Sequence, residues 1–434
     1  MRGRTARWWL LVLTAVALAL RLAVALAADR SLLGFNDQFL YHHMAEGLAR
    51  GDGYEIFGQP TLRWPPAYPF LLSILYRVTG PDPTAGFVLN ALISTATVPL
   101  TFVIGHRVAG RRAAIAAAAV IAVLPGQWLF SATLLTEPIA TLQILIALAI
   151  AVWLRPGVAA ALALGGLVAV GALTRGEGTL LGLLPVAAWW ARAAWRQVLA
   201  TGAGAAAVAL VLVTPWLLRN ERVAGERVGL SLNSAETLYA GHNPDADGGA
   251  TYAPPELLER AADTPFGPER ELANAELLRA AARRWALDHP GRELQLIPLR
   301  LLHLLEGDGK VVPLWIEAED TDALGPASGV MRASADVAWY ALLAAFAAAA
   351  ARSGGRWLRT AWSRAALVLP LGSLLLYGVL LYGNFRYRIP YEPLLVILTA
   401  ATFLPDGEER GPSRQPDGVN QTATDPRPTP STTR

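Results

Sequence analysis

Apolar positions in this chain fall in long runs, interrupted by short arginine-bearing stretches. The first run covers 8–28; further runs cover 85–104, 113–124, 137–154, 158–173, 179–190, 198–218, 337–351, 365–382 and 389–404. A helix rises about 1.5 Å per residue, so about 20 apolar residues cross the roughly 30 Å of hydrocarbon in a bilayer. The pattern predicts an all-α polytopic membrane protein with about ten transmembrane helices. Two long polar intervals, about 29–83 and 219–336, separate the first span from the second and the seventh from the eighth.

Arginine placement orients the spans. With a cytoplasmic N-terminus, Arg107, Arg111, Arg112, Arg155, Arg192, Arg196, Arg352, Arg356, Arg359 and Arg364 all fall inside, as the positive-inside rule requires. Both long polar intervals then lie on the outer face of the cytoplasmic membrane, and both termini lie inside. Arg2, Arg4 and Arg7 before the first run, and Ala-Leu-Ala-Ala at its end, also fit a signal peptide; the many spans that follow favour an uncleaved first helix. Residues 405–434, rich in Pro, Thr, Ser, Gly and charge, predict a disordered cytoplasmic tail, the wrong side for glycosylation of the sequon at Asn420.

Composition agrees with this picture. Hydrophobic residues make up 53% of the 434 positions and charged residues 16%, outside the range of soluble domains. The net charge of +3 resides in the orienting clusters and not on a soluble basic face, so nucleic acid is not an expected partner. The chain has no cysteine, which excludes disulfides, thiolate metal sites and cysteine nucleophiles.

The residues with chemistry to offer gather on the outer face. No helix breaker occurs between Asp37 and Glu46, which predicts an interfacial helix with Asp37, Tyr41, Ala45 and Leu48 on one face. Asp37 either presents its carboxylate to a cavity or caps this helix, a role that Asn36 also suits. Glu137, at the outer end of the fourth span, has the same two readings: a carboxylate there faces a protein cavity to avoid lipid, and Pro138 beside it makes a strong capping pattern. Against the orientation rule, Arg63, Arg175, Arg386 and Arg388 lie outside, and Arg21 lies within the first span. Guanidinium forks match phosphate oxygens, and a lipid-linked phosphate carries its charge at this depth. Snorkelling to headgroups, or pairing with neighbours such as Glu177, is the alternative for each. The interval 219–336 predicts a helix near 268–285 and an apolar stretch over 294–305. It reads as a cover over the site, with Tyr239, His242 and Asn243 as candidate cavity residues and Asp245, Asp247, Glu317, Glu319 and Asp320 as solubilising charge.

The order and placement of these residues resemble the GT-C class of membrane glycosyltransferases, especially the branch of protein O-mannosyltransferases and lipid A aminoarabinose transferases. The resemblance covers about 7–404. It is carried by the acidic residue after the first span with Tyr41, Ala45, Gly51 and Gly53, by the stretch from Arg63 through Tyr68 to Pro69, and by Thr136-Glu137, Leu173-Thr174-Arg175 and Arg386-Tyr387-Arg388-Ile389-Pro390. Tyr239-Ala240-Gly241-His242-Asn243-Pro244 is similar to a Gly-Asn-Asn-Pro motif of that branch.

The resemblance implies one GT-C-like transmembrane domain over 1–404 that moves a sugar, with inversion, from a polyprenyl-phosphate donor to an acceptor hydroxyl on a lipid, glycan or protein. Asp37 then matches the general base, and Glu137 a second acidic position that positions the acceptor or supports the site. Arg63, Arg175, Arg386, Arg388 and Arg21 would hold the donor phosphate, and Tyr41, Tyr68, Tyr239, His242 and Asn243 would contact substrate. No cofactor is implied. The chain departs from the mannosyltransferase pattern at Asn36-Asp37-Gln38, where one carboxylate replaces a pair of acids. A hard cation wants several charged oxygens, so a divalent cation is compatible but not indicated, and adjacent His42 and His43 point to different helix faces. Two other classes of function are open to such a chain: a non-catalytic membrane assembly subunit, which would not depend on Asp37, and transport of a lipid-linked or small solute. Transporters concentrate polar residues and broken helices near mid-membrane and carry internal repeats; here the unusual charges sit at one face and no repeat is evident.

Overall fold

The computed structural model describes residues 2–28, 36–313, 325 and 327–405. All of the expected tail over 405–434 except Pro405, and Glu317, Glu319 and Asp320, lie outside the described residues. In chain order, α1 (Arg2–Ala27) leads to α2 (Asp37–Arg50), a hairpin of β1 (Glu55–Ile56) and β2 (Gln59–Pro60), α3 (Ala67–Thr79) and α4 (Pro83–Ala109). The hairpin turns at Phe57 and Gly58, both at positive φ (53° and 75°), the geometry a two-residue turn between twisted strands needs. Next come α5 (Arg111–Val123), α6 (Pro125–Trp128), α7 (Glu137–Trp153), α8 (Val158–Thr174), α9 (Leu183–Trp190) and α10 (Trp195–Ala224). The second polar interval holds α11 (Asn233–Gly241), α12 (Pro255–Leu258), α13 (Pro268–Asp288) and α14 (Pro290–Leu304). The chain then returns through α15 (Ala327–Ser353), α16 (Ala361–Leu375) and α17 (Glu392–Phe403).

The protein is a multi-pass membrane protein, but the count of ten spans is not established. Among the described residues five helices are long and apolar enough to cross a bilayer: α1, α4, α10, α15 and α16 with its π-helical continuation to Leu380. A sixth candidate is a bent pair: α5, which carries the expected span over 113–124, meets the segment Pro125–Ala132 at 62°. Pro125 has no N–H to continue the ladder of α5. Helices α7 and α8 are apolar but have 17 residues each, a rise of about 25 Å. The expected spans over 179–190 and 389–404 open in 3-10 turns, Gly176–Gly182 and Ile389–Tyr391, which leaves α9 with 8 residues and α17 with 12. Those turns lie next to Arg175, Arg386 and Arg388, so the chain leaves regular helix where it presents charge.

Small residues let the helices approach closely. A side chain on Gly105 of α4 would meet the Ala114 backbone of α5 at 3.2 Å, and one on Gly165 of α8 would meet the Ala205 carbonyl of α10 at 2.6 Å. Such contacts replace the hydrophobic drive that lipid does not supply. At one end of the bundle the two polar intervals pack on each other. Leu232 and Asn233 donate from their backbone N–H groups to the carbonyls of Leu62 and Arg63 at 2.9 and 3.1 Å, and Glu271 accepts from Thr61 Oγ1 and Leu62 N, both at 2.7 Å. Gly383 donates to the Gly248 carbonyl at 2.9 Å, which ties the second interval to the stretch before α17. The interval thus roofs the bundle end over a partly open cavity.

Candidate active site

The cavity has a volume of about 780 Å³, and Asp37, Tyr41, Arg63, Arg175, Tyr239 and Arg386 all line it. Six candidates drawn from four separate stretches of sequence therefore share one space. The local structure explains how each is presented. Asn36 caps α2, its Oδ1 accepting from the backbone of Gln38 at 3.0 Å and of Phe39 at 3.2 Å. That leaves Asp37, the first residue of the helix, free of the capping role. Gly51 closes α2 in the left-handed region at φ 91°, a conformation that costs glycine little.

Glu137 begins α7 and is fully buried behind the cavity wall. Its carboxylate does not cap the helix. Instead Oε1 accepts from Arg175 Nη1 at 3.1 Å and from Arg386 Nε at 2.8 Å, so one buried anion holds two guanidinium groups side by side. Arg386 Nη1 reaches Asp37 Oδ2 at 3.2 Å, and Arg175 Nε reaches Glu177 Oε1 at 2.5 Å. The Arg175 guanidinium also lies 5.6 Å from the Tyr387 ring centre. Tyr387 stacks on Tyr377 at 4.0 Å, its hydroxyl meets that of Tyr382 at 2.5 Å, and all three tyrosines line the cavity. Tyr41 packs edge-on against Trp64 and Tyr68; its hydroxyl is pushed well above its ordinary pKa by burial and by Asp37, so it stays neutral.

The remaining candidates sit elsewhere. Tyr68 is buried behind Tyr41 and does not line the cavity. Arg388, two residues from Arg386, turns away from it, because residues two apart in a 3-10 turn lie on different sides. It pairs with Asp308 at 2.5 Å and Glu392 at 2.7 Å, donates to the Leu304 carbonyl at 3.1 Å and lies over Trp339 at 3.3 Å. Arg21 is fully buried in the bundle, donating to Ser94 Oγ at 2.8 Å and to the Ala122 and Ile121 carbonyls at 2.9 and 3.0 Å. It satisfies the end of α5 at the bend, where those carbonyls have lost helical partners. His242 bridges Glu293 at 2.8 Å and the Leu380 carbonyl at 2.9 Å, while Asn243 Nδ2 binds the Tyr239 carbonyl at 2.8 Å. His242 fastens the roof to the bundle, Asn243 holds the roof's own turn after α11, and neither is on the cavity wall.

Arg63 is on the wall but apart from the other two arginines. Its Nη2 pairs with Glu236 of α11 at 2.7 Å and its guanidinium lies 4.4 Å from the Trp64 ring centre. Burial raises the Glu236 carboxyl above its ordinary pKa; Arg63 pulls it back, and nearby Asp37 adds to the rise. Glu236 and Asn274, both lining the cavity, were missed in the sequence. Glu236 had a usable signal: it precedes Tyr239 by three residues, hence on the same helix face. Among the described residues no three His, Asp or Glu side chains come together to hold a metal ion.

No protein-family model and no curated protein matches the chain. Solved structures do. The oligosaccharyltransferase of Archaeoglobus fulgidus in the apo form matches with a TM-score of 0.51 and 15% identity over 91% of this chain and 50% of that one. The same enzyme tethered to an acceptor peptide containing the NVT sequon gives 0.51 and 14% over 91% and 49%. ArnT from Cupriavidus metallidurans bound to undecaprenyl phosphate gives 0.47 and 16% over 91% and 77%. The chain spans about half the length of the archaeal enzyme, 50% in the apo comparison. The bundle with its roofed cavity thus defines a polytopic membrane protein with a charged, partly open cavity at one end. Its fold is that of the GT-C membrane glycosyltransferases.

Proposed function

We propose that the cavity is the active site of an inverting glycosyltransferase that takes a sugar from a polyprenyl-phosphate donor at the outer face of the cytoplasmic membrane. The observation that carries this reading is the pair Arg175 and Arg386, set side by side on Glu137 and facing a cavity that also holds Asp37. Side chains of Asp37 and Glu177 are partly exposed, 33% and 22%, whereas Glu137 is at 0%. A phosphate arriving at the arginines therefore displaces Asp37 and Glu177 and leaves Glu137 in place to hold the pair. Release from Arg386 restores Asp37 as a proton acceptor, so the base is freed when the donor is bound.

Asp37 then takes the proton of an acceptor hydroxyl, and the oxygen attacks the anomeric carbon from the face opposite the phosphate. As the carbon–oxygen bond to phosphate breaks, the bond electrons stay with the phosphate, and Arg175 and Arg386 stabilise its added charge. A single displacement inverts the anomeric centre. The archaeal enzyme whose fold the chain shares is named as an oligosaccharyltransferase, which fits glycosyl transfer in this frame. The test is transfer of radiolabel from a panel of polyprenyl-phosphate sugars in membranes containing the full chain. Wild type is expected to transfer and Asp37→Asn not to; absence of transfer from every donor would move the reading to transport.

A further inference from the structure

The cavity has two walls of different chemistry. The wall built from α2, the ends of α7 and α8 and the stretch 376–387 carries Asp37, Arg175, Arg386 and three tyrosines. The roof wall offers Ser234, Thr237, Thr251 and Asn274, all neutral, and the single carboxylate of Glu236. That carboxylate is bound to Arg63 at 2.7 Å, so the described part of this wall presents a paired, not a net, charge. Asn274 lines the cavity, and its Oδ1 has no hydrogen-bond partner within the protein, which leaves an acceptor to be matched.

We infer that the roof wall is the acceptor subsite and that it reads a neutral carbohydrate, with Glu236 and Asn274 as its specificity-determining residues; the inference rests on the glycosyl-transfer reading above. Sugar hydroxyls donate and accept at once, and hydroxyl and amide side chains match both roles. A planar carboxylate beside a guanidinium adds an acceptor and a donor a short distance apart, the spacing that neighbouring ring hydroxyls present. A phosphorylated or carboxylated acceptor would have to displace Glu236 from a single cation, Arg63, whereas the donor phosphate meets the pair Arg175 and Arg386. An extended peptide needs free backbone groups to pair with; α11 keeps its own within the helix, and in the irregular stretch 250–253 the Thr251 N–H is spent on the Ala240 carbonyl at 3.2 Å. The cavity volume of about 780 Å³ leaves room for an acceptor unit beside a donor sugar.

The full chain in lipid nanodiscs is applied to an array carrying neutral oligosaccharides, phosphorylated and uronate-bearing glycans, and Ser-, Thr- and Asn-containing peptides. Binding of undecaprenyl phosphate to the same preparation is measured in parallel. The expected result is retention on neutral glycans, weakened about tenfold or more by Glu236→Gln and by Asn274→Ala, with undecaprenyl phosphate affinity unchanged in both variants. Retention only on anionic glycans or peptides, no retention at all, or equal binding by the variants overturns the inference. So does joint loss of glycan and lipid phosphate binding in both variants, which makes the two residues structural. If wild type binds neutral glycan but not undecaprenyl phosphate, the donor reading fails and the acceptor inference falls with it. If it binds the lipid phosphate alone, only the acceptor inference falls.

Discussion

Arg386 donates to Asp37 across 349 positions of sequence, Nη1 to Oδ2 at 3.2 Å. The base and the phosphate ligand of the proposed reaction are thus each other's resting partners. Replacing Asp37 by Asn removes the proton acceptor and keeps a group that fits the space. Transfer should fall by about 10²–10⁴-fold, the usual worth of a positioned general base. Affinity for undecaprenyl phosphate should stay the same or tighten, because a competing anion has gone. A steady-state transfer assay and a lipid-phosphate binding titration check both halves.

Arg386 and Arg388 should separate cleanly by readout. Arg386→Lys keeps charge but loses the fork that spans Glu137 and Asp37, so lipid-phosphate affinity and transfer both fall while the protein remains folded. Arg388→Ala leaves Asp308 and Glu392 buried without their cation. Removing one partner of such a pair costs on the order of 3–5 kcal/mol, which should appear as lost yield of folded protein in detergent. Equal thermal stability of the two variants would contradict this division.

Stability of the roof should depend on pH. Glu271 of α13 is raised above the ordinary carboxyl value of 4.5 by burial, an effect its bonds to Leu62 and Thr61 and the charge of Arg63 partly reverse. The folded chain holds this proton more tightly than the unfolded chain. Its contribution is therefore full below pH 4.5 and is lost as pH rises through the raised value. Hydrogen-exchange protection of α13, corrected for intrinsic rate, should fall from acid to neutral pH, and Glu271→Gln should flatten the slope. An unchanged slope in that variant would assign the effect to another group.

Topology has its own test. An alkaline phosphatase reporter fused after Leu48 should be active, and one fused after Arg155 inactive, since arginine placement puts the first outside and the second inside. A cytoplasmic reporter after Leu48 would put the cavity on the wrong side for the proposed donor.

Much of the cavity was legible in the sequence because charge beside apolar runs is costly and therefore conspicuous. Asp37, Arg175 and Arg386 stood out for that reason, and all three face one space. The same criterion did not separate Arg386 from Arg388 or recognise Arg21, because a buried arginine that serves carbonyls looks in sequence like one that serves a ligand. Only the backbone path of a 3-10 turn and the bend at Pro125 distinguish them. Asn274 was hidden for the opposite reason, since in a polar interval rich in acids and amides nothing in composition marks the side chains that face inward, and Glu236 was marked only by its spacing from Tyr239. The spans over 179–190 and 389–404 read as continuous because their apolar content is continuous; hydropathy does not show where the backbone tightens into 3-10 turns.

The most direct test of the account is a cryo-EM structure of the full chain with undecaprenyl phosphate. The phosphate is predicted within hydrogen-bond reach of both Arg175 and Arg386, with Asp37 turned off Arg386 toward the roof and Glu137 unmoved. Phosphate seated elsewhere, or seated with Asp37 still paired to Arg386, would contradict it.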